Sequence, residues 1–239
     1  MPTYALYLES GPRRQKTMVH VLDLLGCVAV GPTTEAALAL APDAIRAYRR
    51  FLSRHGERHN PAAPFKTVVA EHITAGQWLG NGSPYLVFGP DLEPLSNKEI
   101  EIYLKRFRGL RETLAYWAAG QTNRQLDASP KPDGRTARAI LLHVLGPTGG
   151  YLSAALGSAP GFSALAGAAE RGELHLVEAL LRSVELAEAR VRATTPQERA
   201  RVRQRPKDVR TLRKALRRML EHDWEHLAEL ARRPGGPRL

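Results

Sequence analysis

Apolar positions recur along the 239 residues with two different periods, and the change of period divides the chain. Up to about residue 94 the apolar stretches are short, β-branched and separated by glycine and proline. Residues 3–9, 17–30, 65–74 and 85–88 read as strands, with Gly26 dividing 17–30 into two. One helix interrupts them. Thr33 or Thr34 caps it and Glu35 suits its first turn. It carries Ala37, Leu38, Leu40, Ala41, Ala44, Ile45, Tyr48 and Leu52 and ends near Gly56, with Pro42 expected to kink or divide it.

After residue 94 the period becomes helical. Ser96 and Glu99 form a capping box that opens a helix over 97–119, with Ile100, Tyr103, Leu104, Phe107, Leu110, Leu114 and Trp117 on one stripe. A second helix begins near Thr136, is expected to break at Gly146-Pro147, and resumes through Tyr151. A third covers about 174–192, and a fourth about 208–232 with Leu212, Leu216, Met219, Leu220, Leu227 and Leu230 in its stripe. The connection 120–135 is long enough to serve as a wall or lid. The basic connection 199–207 reads either as a solvated linker or as a contact for an anionic ligand. The expected architecture is an α+β domain over 1–94 followed by an all-α four-helix bundle over 95–239.

Composition narrows the class. The chain is 43% hydrophobic, enough for a sizeable core. No run of 18–20 apolar residues is apparent, and the N-terminus reads as a strand rather than a secretory signal. The single Cys27 excludes an internal disulfide and fits a reducing compartment, so a cytoplasmic location is expected. The net charge of +11 points to an acidic partner, nucleic acid first, although arginine on solvated helix faces accounts for much of it.

The sharpest chemistry lies in the fourth helix. His222 and His226 are four residues apart, so both imidazoles leave one side of the helix a turn apart, where they could share a metal ion. Such pairs are also common on solvated helices. Here His226 falls on the shoulder of the apolar stripe and His222 a little further out, and Arg210, Arg217, Glu221 and Glu225 fall opposite it, where solvent is expected. His143 is the one polar residue between Ala139 and Leu145. It reads as a buried core histidine or, if it faces the fourth helix, as a third ligand. His222 to His226 also fits His-x-x-Glu-His, a metallopeptidase pattern, but Glu229 is the one acid downstream that could complete it. Glu225 and Glu229 are candidates to orient the histidines. No residue stands out as a general base, so the catalytic residues stay unassigned.

Two resemblances follow from these residues. Asp23-Leu24-Leu25-Gly26-Cys27, Gly31-Pro32-Thr33-Thr34-Glu35-Ala36 and the Ala-rich helix to Tyr48 resemble the HicB-like family over about residues 3–56. This implies a partial ribonuclease-H-like β-β-β-α sheet and a role in binding a protein or RNA partner, as in antitoxins. Leu25 stands where the family has proline, and no DNA-binding pattern follows. Glu9, Asp23 and Glu35 are too few to support nuclease chemistry.

The helical half, about 97–232, resembles the DinB-like family around His143 and along Val209 to His226. That resemblance implies His143, His222 and His226 as ligands of a divalent metal, zinc or nickel ahead of iron or manganese. It also implies a metal-dependent hydrolase or a transferase acting on a low-molecular-weight thiol or other small molecule, and a homodimer. A membrane partner is not expected. The alternative is a non-enzymatic regulatory or binding protein with a vestigial metal site, its N-terminal domain contacting protein or RNA.

Overall fold

The computed structural model describes residues 1–130, 134–206 and 208–239. Residues 131–133 of the 120–135 connection, and Lys207 of the basic segment, lie outside the described residues.

The first half is a four-stranded sheet with one helix. Strands β1 (Thr3–Ser10), β2 (Gln15–Val21) and β3 (Val28–Thr33) form an antiparallel meander, α1 (Thr34–Arg54) crosses one face, and β4 (Lys66–Ile73) returns parallel to β1, giving the order β3-β2-β1-β4. Strand alternation explains the two faces. Tyr4, Leu6, Leu8 and Ser10 are buried, and Tyr4 and Ser10 hydrogen-bond to Arg49 and Thr34 of α1. On the other face, Glu9 and His20 are fully buried against later parts of the chain. Thr33 caps α1 and Pro42 is accommodated within it, so the helix is neither divided nor ended there. Gly26 has φ +100°, and a Cβ there would lie 2.2 Å from Tyr48 Oη, whose hydroxyl donates to Leu25 O. The expected strand at 85–88 is instead a turn at Pro84 and Tyr85 and irregular loop, leading into a short 3-10 turn, Gly89–Leu92.

The second half is helical. α2 (Asn97–Ala119), α4 (Ala137–Leu156), α6 (Leu176–Arg192) and α8 (Leu212–Ala231) are its long elements. Shorter ones lie in the connections: α3 (Asn123–Asp127), α5 (Phe162–Glu170), α7 (Pro196–Ala200) and a hairpin of β5 (Arg203–Arg205) and β6 (Asp208–Arg210). The capping box at Ser96 and Glu99 is present. α4 runs without a break through Gly146 and Pro147. The proline forfeits one backbone bond, and buried Val144, Thr148, Gly149 and Leu152 hold the helix by tertiary packing. α4 is also long and apolar enough to cross a membrane by length and composition, contrary to the reading of the sequence. Half of it is buried against the rest of the protein, as in the core helix of a bundle. The basic segment is structured too, as α7 and the hairpin rather than a linker.

One apolar core runs from Tyr4 through both halves to Leu230. α8 joins them. Trp224 packs on Tyr48 and Phe51 of α1, with ring centroids 4.7 and 5.4 Å apart. Its side opposite the apolar stripe does not face water as expected. Arg217 and Glu221 are about 1% exposed, because Arg217 pairs with Asp91 (2.8 Å) and Glu221, while Glu221 accepts from His20 Nδ1 (2.8 Å) across the sheet. Glu225 is half-buried.

Inside the bundle, Arg111 of α2 is fully buried and binds the other three long helices. Nε donates to Asp223 of α8 (2.5 Å), Nη1 to Ser183 of α6 (3.1 Å), and Nη2 to Val144 O and Thr148 Oγ1 of α4 (2.8 and 2.7 Å). Replacing one partner of a buried ion pair strands the other charge. Arg111→Met is therefore expected to lower unfolding stability by about 3–5 kcal/mol, read from urea denaturation. The double variant Arg111→Met/Asp223→Leu should recover much of that. A single variant as stable as wild type would refute the assignment.

Candidate metal centre

His143 projects from α4 and His222 and His226 from α8, two helices that pack side by side. The two on α8 lie one turn apart, as their spacing demands, with ring centroids 4.6 Å apart. His143 completes a triangle, its ring 5.0 Å from that of His222 and 4.9 Å from that of His226. One nitrogen from each ring lies within 4.8 Å of the other two. His222 and His226 are buried, and His143 is exposed at the mouth of the site. The buried-core reading of His143 thus gives way to the reading in which it faces the fourth helix.

The nitrogens themselves test whether a metal fits. His143 Nε2 and His222 Nε2 are 3.2 Å apart. Two imidazole nitrogens about 2.0–2.1 Å from a tetrahedral ion stand roughly 3.3 Å from each other. His226 presents its Nδ1 to Glu229 Oε2 at 3.0 Å. With that proton donated to the carboxylate, the lone pair belongs to Nε2. This is the carboxylate–histidine arrangement that holds metal-ligating imidazoles in one tautomer. Arg135 clamps the same carboxylate at 2.7 Å. Of the two orienting candidates, Glu229 has this position, and no hydrogen bond joins Glu225 to the histidines among the described residues.

The protonation states suit ligation. Burial pushes His222 down to about 4 against the opposing pull of Asp223, with smaller lowering contributions from His226 and Arg218. Burial, His226 and Arg135 also lower His143. Neutral imidazoles with free lone pairs are what a metal requires. Asp223 approaches His222 Nδ1 at 3.7 Å but is committed to Arg111, so it fixes α8 rather than joining the ligand set.

The residues that the reading of the sequence overlooked are charged ones. Arg111 lies on the stripe of Leu104, Phe107 and Leu114, and Asp223 on that of Leu216, Met219 and Leu227. Opposite charges at apolar positions of two helices are the available signal for such a buried pair. His20 and Asp91 carried no periodic signal, and Glu9 was weighed only as a nuclease carboxylate. Burial opposes a charge on His20, but Glu221, through its charge and its hydrogen bond, and Glu9, 3.7 Å away, raise it. Burial would raise Glu221, yet Arg217 and His20 hold it well below the usual carboxylate range.

His222 supplies a pH test. The unfolded chain takes up this proton near 6.5 and the folded chain only near 4. Its contribution to stability is therefore present above pH 6.5 and is lost as pH falls toward 4, because the unfolded state binds more protons there. His143 acts in the same sense and His20, being raised, in the opposite one. The urea midpoint of chelator-treated protein is expected to fall between pH 6.5 and 4, and to fall less steeply in His222→Gln. Equal slopes would refute it.

Comparison with known proteins gives two findings. Residues 104–230, just over half of the chain, match the family described as the DinB superfamily. A solved structure of YfiT from Bacillus subtilis, described as a probable metal-dependent hydrolase with an unusual four-helix bundle topology, shares 21% identity. That match covers 59% of this chain and 90% of YfiT, with a TM-score of 0.42. No curated protein matches the chain.

Proposed function

Because the chain belongs to the DinB superfamily, we propose that it is a metal-dependent enzyme, a hydrolase or a low-molecular-weight thiol transferase, with His143, His222 and His226 as the ligands of one divalent ion. The observation that carries this reading is the 3.2 Å approach of two imidazole nitrogens from different helices, with a third imidazole oriented beside them by Glu229. Three protein ligands leave coordination positions open, as in catalytic rather than closed structural sites. Imidazole donors suit zinc and nickel, and also iron. A divalent ion held there would supply Lewis acidity toward a water or a thiol.

The chain's own residues provide placement. Glu229 fixes the His226 ring, Arg111 fixes the register of α4 against α8, and burial of His222 keeps water from one side of the site. The β-β-β-α order of the N-terminal half is what supports the HicB-like reading. In this protein we read it as a module packed on α8 rather than as the seat of the reaction.

The test is turnover of p-nitrophenyl esters, and conjugation of a small thiol to monochlorobimane, by protein purified without added metal. Activity should be abolished by a chelator, restored by zinc or nickel, and reduced at least 100-fold in His143→Ala, a change of about 2.7 kcal/mol in barrier. Activity indifferent to both would overturn the proposal. Glu229→Gln should weaken metal affinity by about 10–100-fold in competition with a chromophoric chelator. Unchanged affinity would remove Glu229 from its orienting role.

A further inference from the structure

Toward the N-terminal end of α8 from the histidines, a groove lies between α4 and α8. Along α4 it follows Pro147, Tyr151 and Ala154, and along α8 it runs back from Arg218 to Thr211. Here it widens into a cleft of about 340 Å³, closed on one side by Pro84 and Tyr85 of the loop after β4 and at one end by β6. That volume lies in the range of small-molecule sites. Tyr151 is shared by cleft and metal centre. It lines the cleft, and its ring stands edge-on to His222 with centroids 6.4 Å apart. Arg218 precedes His222 by four residues of α8, a rise of about 6 Å.

The lining has two characters. Pro84, Tyr85, Pro147, Tyr151 and Ala154 make an apolar wall. Against it stand three cations, Arg210, Lys214 and Arg218, and one acid, Asp208. Asp208 is shared by Arg210 and by Lys214 Nζ, the latter at 2.9 Å. Arg218 shares Glu221 with Arg217 and His20, so one carboxylate serves three groups. Its Nε is buried with no hydrogen-bond partner among the described residues. A donor left dry and unpaired is costly unless something accepts from it. The loop is also shaped around this guanidinium: Gly82 has φ +72°, and a Cβ there would lie 2.3 Å from Arg218 Nη2. Among the residues that line the cleft itself, three cations stand against one acid, along one edge of a cavity that is otherwise apolar.

We infer that this cleft binds a small organic acid, its apolar body between Tyr85, Pro147 and Tyr151 and its carboxylate at the edge formed by Arg210, Lys214 and Arg218. That the acid is the substrate, with its reactive end past Tyr151 toward the histidines, rests on the metal-enzyme reading. Binding in the cleft does not. The N-terminal half then has a part in recognition, because Pro84 and Tyr85 supply the wall that the bundle lacks.

Isothermal titration of the full-length protein with phenylacetate and with hexanoate tests this, using phenylacetamide and inorganic phosphate as controls. Saturable one-to-one binding is expected for at least one of the two acids, and at least tenfold weaker binding for the neutral amide and for phosphate. Ala154→Phe, which fills the cleft, and Lys214→Met, which keeps length without charge, should each weaken acid binding at least tenfold with an unchanged circular dichroism spectrum. Binding should persist within threefold in a His222→Ala/His226→Ala variant and in the presence of chelator. Several results would overturn the inference: no saturation by either acid up to about 10 mM, amide or phosphate binding as tightly as the acid, or a silent Ala154→Phe. Loss of binding in the double histidine variant alone would place the ligand at the metal centre and refute the cleft. Acid binding by a protein that takes up no metal would leave the cleft standing and remove the metal-enzyme reading instead.

Discussion

The candidate site depends on one buried guanidinium. Arg111 enters the bundle from α2 and hydrogen-bonds to α4, α6 and α8. Moving such a charge out of water is expensive, and it is tolerable only where the geometry satisfies its donors and a carboxylate balances it. That demand leaves little freedom in how the four helices slide. The partners of Arg111 lie beside the site in sequence: Val144 follows His143, and Asp223 sits between His222 and His226. The interaction that sets the register of α4 against α8 therefore also sets the distance between their histidines.

α8 serves both halves of the protein, and this explains its composition. Apolar side chains and Asp223 face the bundle, the histidines face α4, and Arg217, Arg218 and Glu221 face the sheet and its following loop. Buried charges at that junction are balanced in place. Asp91, Glu9 and Glu221 meet Arg217, Arg218 and His20, whose raised proton affinity suits the excess of carboxylate around it. A packed ionic junction of this kind holds the 80s loop over the α4–α8 groove, linking the N-terminal sheet to the neighbourhood of the histidines.

What was legible in the sequence was whatever obeys a short-range rule. The period of Ile100, Leu104, Phe107 and Leu114 yields α2 to the residue, and the four-residue spacing of His222 and His226 places them on one side of α8. His143 was legible only through the family resemblance, since periodicity alone left it as core or ligand. The polar side of α8 was misread because charge normally marks solvent, and the partners that bury Arg217 and Glu221 lie 126 and 201 residues away. The break expected at Gly146-Pro147 failed for a related reason. Local propensity argued for it, but tertiary contacts along Val144, Thr148 and Leu152 decide the outcome.

The three-histidine site is tested most directly by the metal content, measured by plasma mass spectrometry, of tag-free protein purified without added metal beside a His222→Ala/His226→Ala variant. Close to one equivalent of a divalent transition metal is expected in the wild type and almost none in the variant. A wild type that is empty and also fails to take up zinc or nickel on titration would contradict the three-histidine site.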